Sequence, residues 1–257
     1  MRKTPEQRQA HILATMAKEN HVKVENLADE LGVSAMSIRR DLDALVAAGQ
    51  AIRTHGGAVS IPAGMITFRF PDDRNAAATR RKQAIADAAT ALVQPGMNVL
   101  LDTGSTVVRM APALRRIQDL TVVTTSLAVA SQLYACPDIT LLLLGGQIRE
   151  GSPDLMGAIT EENLSRFHVD IAFLGADGTD RAGLSCDHTE VAKVSAAMLE
   201  AADRSVVLVD SAKFGHPALV RYARWRSVST VVTDDGLPEA ERQRLQKMVG
   251  QVIVVRS

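Results

Sequence analysis

The 257-residue chain is poor in aromatic side chains, with one Trp, two Tyr and five Phe. None interleaves with a basic patch, so there is no stacking platform for RNA. Cysteine is scarcer still. Cys136 and Cys186 are too few for a disulfide framework. With His168 and His188 they also lack structural-zinc spacing, so no metal is expected. An excess of one charge is missing too, since 29 Lys+Arg balance 29 Asp+Glu. Global charge therefore gives no reason to expect nucleic acid, and any such reading rests on local pattern. No apolar run approaches the ~18 residues that span a bilayer; the best is Ile139–Leu144. The opening MRKTPEQRQAHI carries no apolar signal-peptide region. The expectation is a soluble, cytoplasmic protein with no membrane partner. A G-x-G-x-x-G turn is also absent: Gly104 stands alone, and Gly145-Gly146 and Gly175-x-x-Gly178 do not fit. That excludes a nicotinamide-binding redox sensor, and no cofactor is expected.

What is present is ordinary globular composition, 46% apolar and 23% charged. The texture changes along the chain. Residues 1–60 hold short helical patterns, with 8 Lys+Arg against 7 Asp+Glu. Residues 61–81, with Pro62, Gly64, Pro71, Asp72 and Asp73 and then Arg80 and Arg81, have loop composition and read as a linker. Residues 82–257 show another rhythm. Apolar runs of strand length recur at Val99–Leu101, Leu120–Val123, Ile139–Leu144, Ile171–Leu174, Val206–Val209, Val231-Val232 and Val252–Val255. Helical patterns separate several of them: Lys82–Val93, Thr106–Arg115, Leu127–Tyr134, Val191–Ala202 and Pro238–Val249. Alternation of this kind predicts an α/β domain, Rossmann-like, with a largely parallel sheet covered on both faces.

The first block reads as a winged helix-turn-helix. A helix is expected over about Pro5–Asn20, with Ile12, Leu13, Met16 and Ala17 on one face. A second spans about Val24–Leu31, with Leu27, Ala28 and Leu31 inward, and Gly32 suits its C-terminus. Val33 plugs the turn and Ser34 suits an N-cap. The third helix runs about Ala35–Ala47, with Ile38, Leu42 and Leu45 inward, and Gly49 stops it. Its outer face holds Ala35, Met36, Ser37, Arg39 and Arg40. Ala51–Val59 reads as a small β-wing carrying Arg53, Thr54 and His55 before Gly56-Gly57. Short polar side chains and arginines at a helix start suit phosphates and base edges of duplex DNA. A plain three-helix bundle, with Arg39 and Arg40 paired to Asp43, is the alternative.

The segment VSAMSIRRDLDALVAAGQAIRTHGGA, Val33–Ala58, closely resembles the signature of the DeoR family of bacterial transcriptional regulators. In that family a winged helix-turn-helix precedes a sugar-phosphate-sensing domain. The resemblance implies a DNA-binding set of Ser34, Met36, Ser37, Arg39 and Arg40 on the helix, with Arg53 and His55 on the wing touching the DNA backbone.

In open α/β sheets, ligands sit beyond the carboxyl ends of the strands. Here the apolar runs are followed by DTGST (Asp102–Thr106), TTS (Thr124–Ser126), Gly145-Gly146, GADGTD (Gly175–Asp180), DSAKFG (Asp210–Gly215) and TDD (Thr233–Asp235). Such a rim suits a polyhydroxylated ligand. DTGST is either an anion-binding helix start or an ordinary capped turn. Lys213 is either a counter-charge or a solvated loop lysine. This succession also resembles the DeoR-family effector domain, similar in fold to ribose-5-phosphate isomerase. The resemblance implies a phosphorylated sugar or polyol. Asp102, Thr103, Gly104, Ser105 and Thr106 would line its phosphate end, Thr125 and Ser126 would lie nearby, and Asp177, Glu190 and Lys213 would face the sugar or close over it. Two departures bear on ligand identity. Ser195-Ala196 stand where a basic pair is common, and CDHTE (Cys186–Glu190) replaces the usual loop. His188 there is either a ligand contact or a surface residue.

An enzymatic alternative is an isomerase using Asp177, Asp180 and Glu190 for proton transfer. The missing cation at Ser195 and the attached DNA reader count against it. The expectation is a two-domain, non-enzymatic transcriptional regulator, a repressor, working as a homo-oligomer (dimer or tetramer) on repeated half-sites.

Overall fold

Helical periodicity before residue 60 and strand runs after residue 98 build two units, Met1–Arg69 and Phe70–Ser257. The computed structural model describes residues 4–19, 21–47, 51–60, 68, 70 and 75–256. Asn20, Gly49, the Ala17 side chain and the expected linker residues Pro62, Gly64, Pro71, Asp72 and Asp73 lie outside them.

The first unit opens with α1 (Pro5–Glu19). Thr4 and Gln7 cap it reciprocally: Thr4 N–H donates to Gln7 Oε1 (3.0 Å) and Gln7 N–H to Thr4 Oγ1 (3.4 Å). A short strand not foreseen in the sequence, β1 (His21–Lys23), leads into α2 (Val24–Leu31) and α3 (Ala35–Ala47). Between the helices Gly32 takes φ 61°, which lets the Val33 N–H reach back to Ala28 O (3.1 Å). The wing strands β2 (Ala51–Thr54) and β3 (Gly57–Ser60) follow, in a sheet of order β1-β3-β2. Ile12, Met16, Val22, Leu27, Ile38, Leu42 and Leu45 are buried together. Each such side chain contributes roughly 1.5–3 kcal/mol.

The second unit starts earlier than the sequence suggested. Helix α4 runs Ala76–Thr90, so Ala76–Arg81 are helical rather than linker. Asn75 Oδ1 caps it, accepting from Ala77 N–H (3.0 Å) and Ala78 N–H (3.1 Å). The alanines and arginines after the cap are strong helix formers, which outweighs their loop-like context. Next come β4 (Asn98–Leu101), α5 (Ser105–Val108), α6 (Ala111–Leu114), β5 (Leu120–Thr124), α7 (Leu127–Leu133) and β6 (Ile139–Leu143). The single helix expected over Thr106–Arg115 is thus two short pieces. Pro112 has no N–H to continue a ladder, and the chain tightens through Met110 N–H to Val107 O (2.9 Å).

A hairpin, β7 (Gln147–Ile148) with β8 (Leu155–Met156), then α8 (Ala158–Leu164) and β9 (Val169–Leu174) follow. The rest is β10 (Gly178–Thr179), β11 (Gly183–Cys186), α9 (Thr189–Glu200), β12 (Ala202–Leu208), β13 (Val220–Arg224), β14 (Thr230–Asp234), α10 (Glu239–Gln246) and β15 (Gln251–Val255). All seven apolar runs become strands of one parallel sheet, order β15-β14-β12-β9-β4-β5-β6. A small antiparallel sheet, β10-β11-β13, stands apart from it. Leu100, Ala172, Leu174, Val207, Val231, Met198 and Trp225 anchor the main core. Among the described residues no helix is long and apolar enough to cross a membrane.

Candidate functional site

In the first unit the geometry turns on α3. Ser34 Oγ accepts from Ser37 N–H (3.3 Å) and bonds Ser37 Oγ (3.0 Å), closing the open helix start. Ile38 and Leu42 hold the helix to the core, while Met36, Arg39 and Arg40 point outward, Met36 at 55% exposure. The acids of the same helix are taken elsewhere. Asp41 is buried and receives both forks of Arg8 on α1 (2.6 and 3.1 Å). That bond holds the Arg8 guanidinium above its ordinary pKa. Asp43 pairs with Arg53 of the wing (3.3 Å) and not with Arg39 or Arg40. Arg39 and Arg40 make no ion pair among the described residues. The wing turns at His55, which is exposed, and Gly56, at φ 89°. Gly57 is required by contact: a Cβ there would lie 1.9 Å from Val22 O.

In the second unit the strand order defines a crevice. From β4 the chain moves to β5 and β6 on one side, then returns to β9 on the other and continues to β12, β14 and β15. The β4/β9 boundary is a topological switch point, where open α/β sheets bind ligands. The loops leaving these strands are joined by Asp102, whose Oδ2 accepts from Gly175 N–H (3.1 Å). Burial pushes the Asp102 carboxyl up to about 6, the Gly175 and Thr103 N–H groups oppose that, and Asp154 and Asp177 add to it. Thr103, Gly104 and Ser105 follow half-buried, and Thr106 is buried. Lys82, itself buried, reaches from α4 to donate to Ser105 Oγ (2.9 Å).

Beside them, at the end of β5, Thr125 is buried and its Oγ1 has no hydrogen-bond partner among the described residues. Ser126 Oγ caps α7 by accepting from Val129 N–H (3.2 Å). From β13 the Tyr222 hydroxyl donates to Gly175 O (2.5 Å). Burial, with Asp102, Cys186 and Asp177 nearby, drives the Tyr222 pKa well above its ordinary value. Asp177 Oδ2 accepts from Asp187 N–H (3.1 Å). Cys186, the first residue of CDHTE, belongs to a strand and not to the loop. It ends β11, buried, and burial first, then Asp177, Asp102 and Asp187, push its thiol up to about 11. A thiol so protonated is a poor nucleophile.

Glu190 and Lys213 bond to other partners. Glu190 is exposed in the first turn of α9, accepting from Thr189 Oγ1 (2.9 Å). Lys213 follows β12, and its carbonyl accepts from Thr179 Oγ1 (3.3 Å). Neither makes a described contact with Asp102. His188 is exposed ahead of α9. Among the described residues no group of His, Cys, Asp and Glu could hold a metal ion.

The model of the DeoR-like helix-turn-helix domain matches residues 8–63, and that of the DeoR C-terminal sensor domain matches residues 77–235. The chain belongs to the DeoR family. Three relatives agree along nearly their whole lengths. The glycerol-3-phosphate regulon repressor of Escherichia coli K12 is 32% identical, covering 93% of this chain and 94% of its own. The transcriptional repressor AccR of Agrobacterium fabrum is 33% identical over 89% of each. The repressor GlcR of Bacillus subtilis is 31% identical over 89% and 88%. A ribose-5-phosphate isomerase solved with phospho-erythronic acid aligns at TM-score 0.40 and 22% identity, over 53% of this chain and 54% of that one. That likeness is too slight to carry an argument. As a DeoR-family member the protein is a DNA-binding transcriptional regulator and not an enzyme, which removes the isomerase reading.

Three groups of this DeoR-family sensor were not singled out by sequence: Lys82, Asp154 and Tyr222. Each lies far along the chain from Asp102, and only the fold brings it to the crevice. A lysine at a helix i, i+3 position from buried Ile85 was the one available signal for Lys82.

Proposed function

We propose that the protein is a cytoplasmic repressor of a carbohydrate or polyol catabolic operon, released from its operator by a phosphorylated sugar or polyol bound at the β4/β9 crevice. The observation that carries this reading is the pairing of buried Lys82 with Ser105 beside buried Asp102, at a switch point. A lysine cation and a hydroxyl on a rim otherwise rich in acceptors suit one phosphate and several hydroxyls. Ser105, Thr106 and Lys82 form the phosphate end, joined by Thr103 and Gly104. Asp102, Asp177 and the Thr125 hydroxyl, with Ser126 nearby, take ligand hydroxyls. Glu190 and Lys213 then act only by closing over a bound ligand. On DNA, Ser34, Met36, Ser37, Arg39 and Arg40 meet the major groove, and His55 meets a flanking phosphate.

One reader of this size makes too few contacts for useful specificity, so the working form is a homo-oligomer, a dimer or tetramer, on paired half-sites. The test separates the two units. Arg40→Ala weakens binding to DNA from upstream of the protein's own gene, while thermal stabilisation by a sugar phosphate persists. Lys82→Met abolishes that stabilisation and leaves DNA binding intact. Normal DNA binding by Arg40→Ala, or ligand stabilisation surviving Lys82→Met, contradicts the assignments.

A further inference from the structure

We propose that Arg53 and Asp43 form a clamp that sets the wing against helix α3, so that Arg53 is a positioning residue rather than a DNA contact. The proposal rests on the DNA-reading role of this unit. It replaces the expectation that Arg53 touches the DNA backbone. Two sides of the guanidinium are committed inside the unit. Arg53 Nε lies 3.3 Å from Asp43 Oδ1 on α3, and Nη1 donates to Gly57 O on the facing wing strand. The hairpin is otherwise held by backbone pairing and by Ala51 and Ala58, which are buried in the core of the unit. β3 pairs with β1 from His21↔Val59 to Lys23↔Gly57, and Val24 N–H donates to Gly56 O (2.9 Å). Arg53 adds a polar link from this hairpin to the third helix of the unit, the reading helix. All three arginines are exposed, but Arg53 is paired, whereas Arg39 and Arg40 make no ion pair among the described residues.

The clamp also accounts for an acid where one is unexpected. Asp43 is 68% exposed on the helix that approaches phosphates. Unpaired, it would repel DNA; paired, it is neutralised and its charge orients the wing arginine. Asp41 serves the same helix in the same way, through Arg8 toward α1. In the run Arg39-Arg40-Asp41-Leu42-Asp43 the two arginines thus face outward and the next three residues tie the helix down.

The experiment uses the full-length protein and two duplexes, one from upstream of its own gene and one of random sequence, in anisotropy titrations over a range of salt. Asp43→Asn and Arg53→Met each weaken binding to the upstream duplex by about fivefold, and the double variant is no weaker than either alone. The slope of log affinity against log salt stays at the wild-type value in both, whereas Arg40→Met lowers it by about 0.9, the mark of one lost phosphate contact. Arg53→Lys keeps a point charge but not the fork spanning Asp43 and Gly57, and it behaves as Arg53→Met. Melting midpoints check that each variant folds. Amide exchange across Ala51–Ser60 speeds up in both single variants even if the wild type binds neither duplex, an outcome that would count against the DNA reader itself. Tighter DNA binding by Asp43→Asn, a salt slope lowered by Arg53→Met, full activity in Arg53→Lys, or unchanged hairpin exchange overturns the clamp.

Discussion

Asp102 is held where its charge is disfavoured, with its carboxyl pushed up to about 6 by burial. The consequence for stability follows from linkage. Below the unfolded-state value near 3.9 the carboxyl is neutral in both states and imposes no penalty. As pH rises toward 6 the unfolded chain ionises first, and folding stability is lost across that window. Above 6 the penalty is constant, on the order of 3 kcal/mol for a shift of about two units. Asp102→Asn keeps an oxygen for the Gly175 N–H but removes the charge. It is expected to raise the melting temperature at pH 7.5, with a gain that shrinks toward zero as pH falls to 4. Thermal melts of both proteins across that range check it, and an equal gain at every pH contradicts it. The same substitution weakens any ligand whose hydroxyl donates to the carboxylate, since a charged acceptor is the stronger one. At this scale the sequence was legible where a residue's role is local. Gly32, Ser34 and Ser126 carry the turn and caps their types imply. Lys82 was not legible. A single lysine in a helical run reads as exposed, and only the packing of α4 near the Asp102–Thr106 loop buries it.

At the scale of elements, the parallel strands were the plainest feature. A strand buried on both faces must be apolar at consecutive positions, and the five inner strands have that form, while the edge strands β6 and β15 carry apolar runs that are only partly buried. Strand order was not contained in the runs, because a parallel crossover leaves no local mark of its direction. The switch point, and with it the site, therefore needed the structure. Short elements escaped for a related reason. β1, β7, β8 and β10 are two or three residues long, too short for a periodicity of their own, and β1 is held by a partner distant in sequence. α5 and α6 share one apolar pattern, and Pro112 in the first turn of α6 is the mark of the break between them. The wing depends on close backbone approach. Gly57→Ala places a Cβ 1.9 Å from Val22 O, so β1 and β3 must part. The expected loss is roughly 1–3 kcal/mol, read in a denaturant titration followed by the first unit's signal. An unchanged midpoint contradicts the β1–β3 contact. Within the core, Leu42→Ala is expected to cost about 2–5 kcal/mol and to abolish DNA binding by unfolding the reading helix.

For the whole molecule, the proposed homo-oligomer is expected to use one edge of the main sheet. Among the described residues, five of the eight exposed large apolar side chains fall in 134–159: Tyr134, Leu142, Leu143, Ile148 and Ile159. β6 closes the sheet on that side, and Ile139–Ile148 carries no charge. An open, uncharged edge meets its own copy about a two-fold axis without repulsion. Leu142→Lys is expected to lower the mass of the particle in light scattering while leaving the melt intact, and an unchanged mass places the interface elsewhere. A phosphorylated polyol in the β4/β9 crevice is proposed to set the affinity of the chain for DNA. The most direct measurement is a single anisotropy titration of the full-length protein on DNA from upstream of its own gene, with and without a panel of sugar and polyol phosphates, for the wild type and Lys82→Met. The predicted result is specific binding that one phosphorylated compound weakens about 5–150-fold in the wild type and leaves untouched in Lys82→Met. Specific binding that no member of the panel alters, or release that persists equally in Lys82→Met, would contradict it.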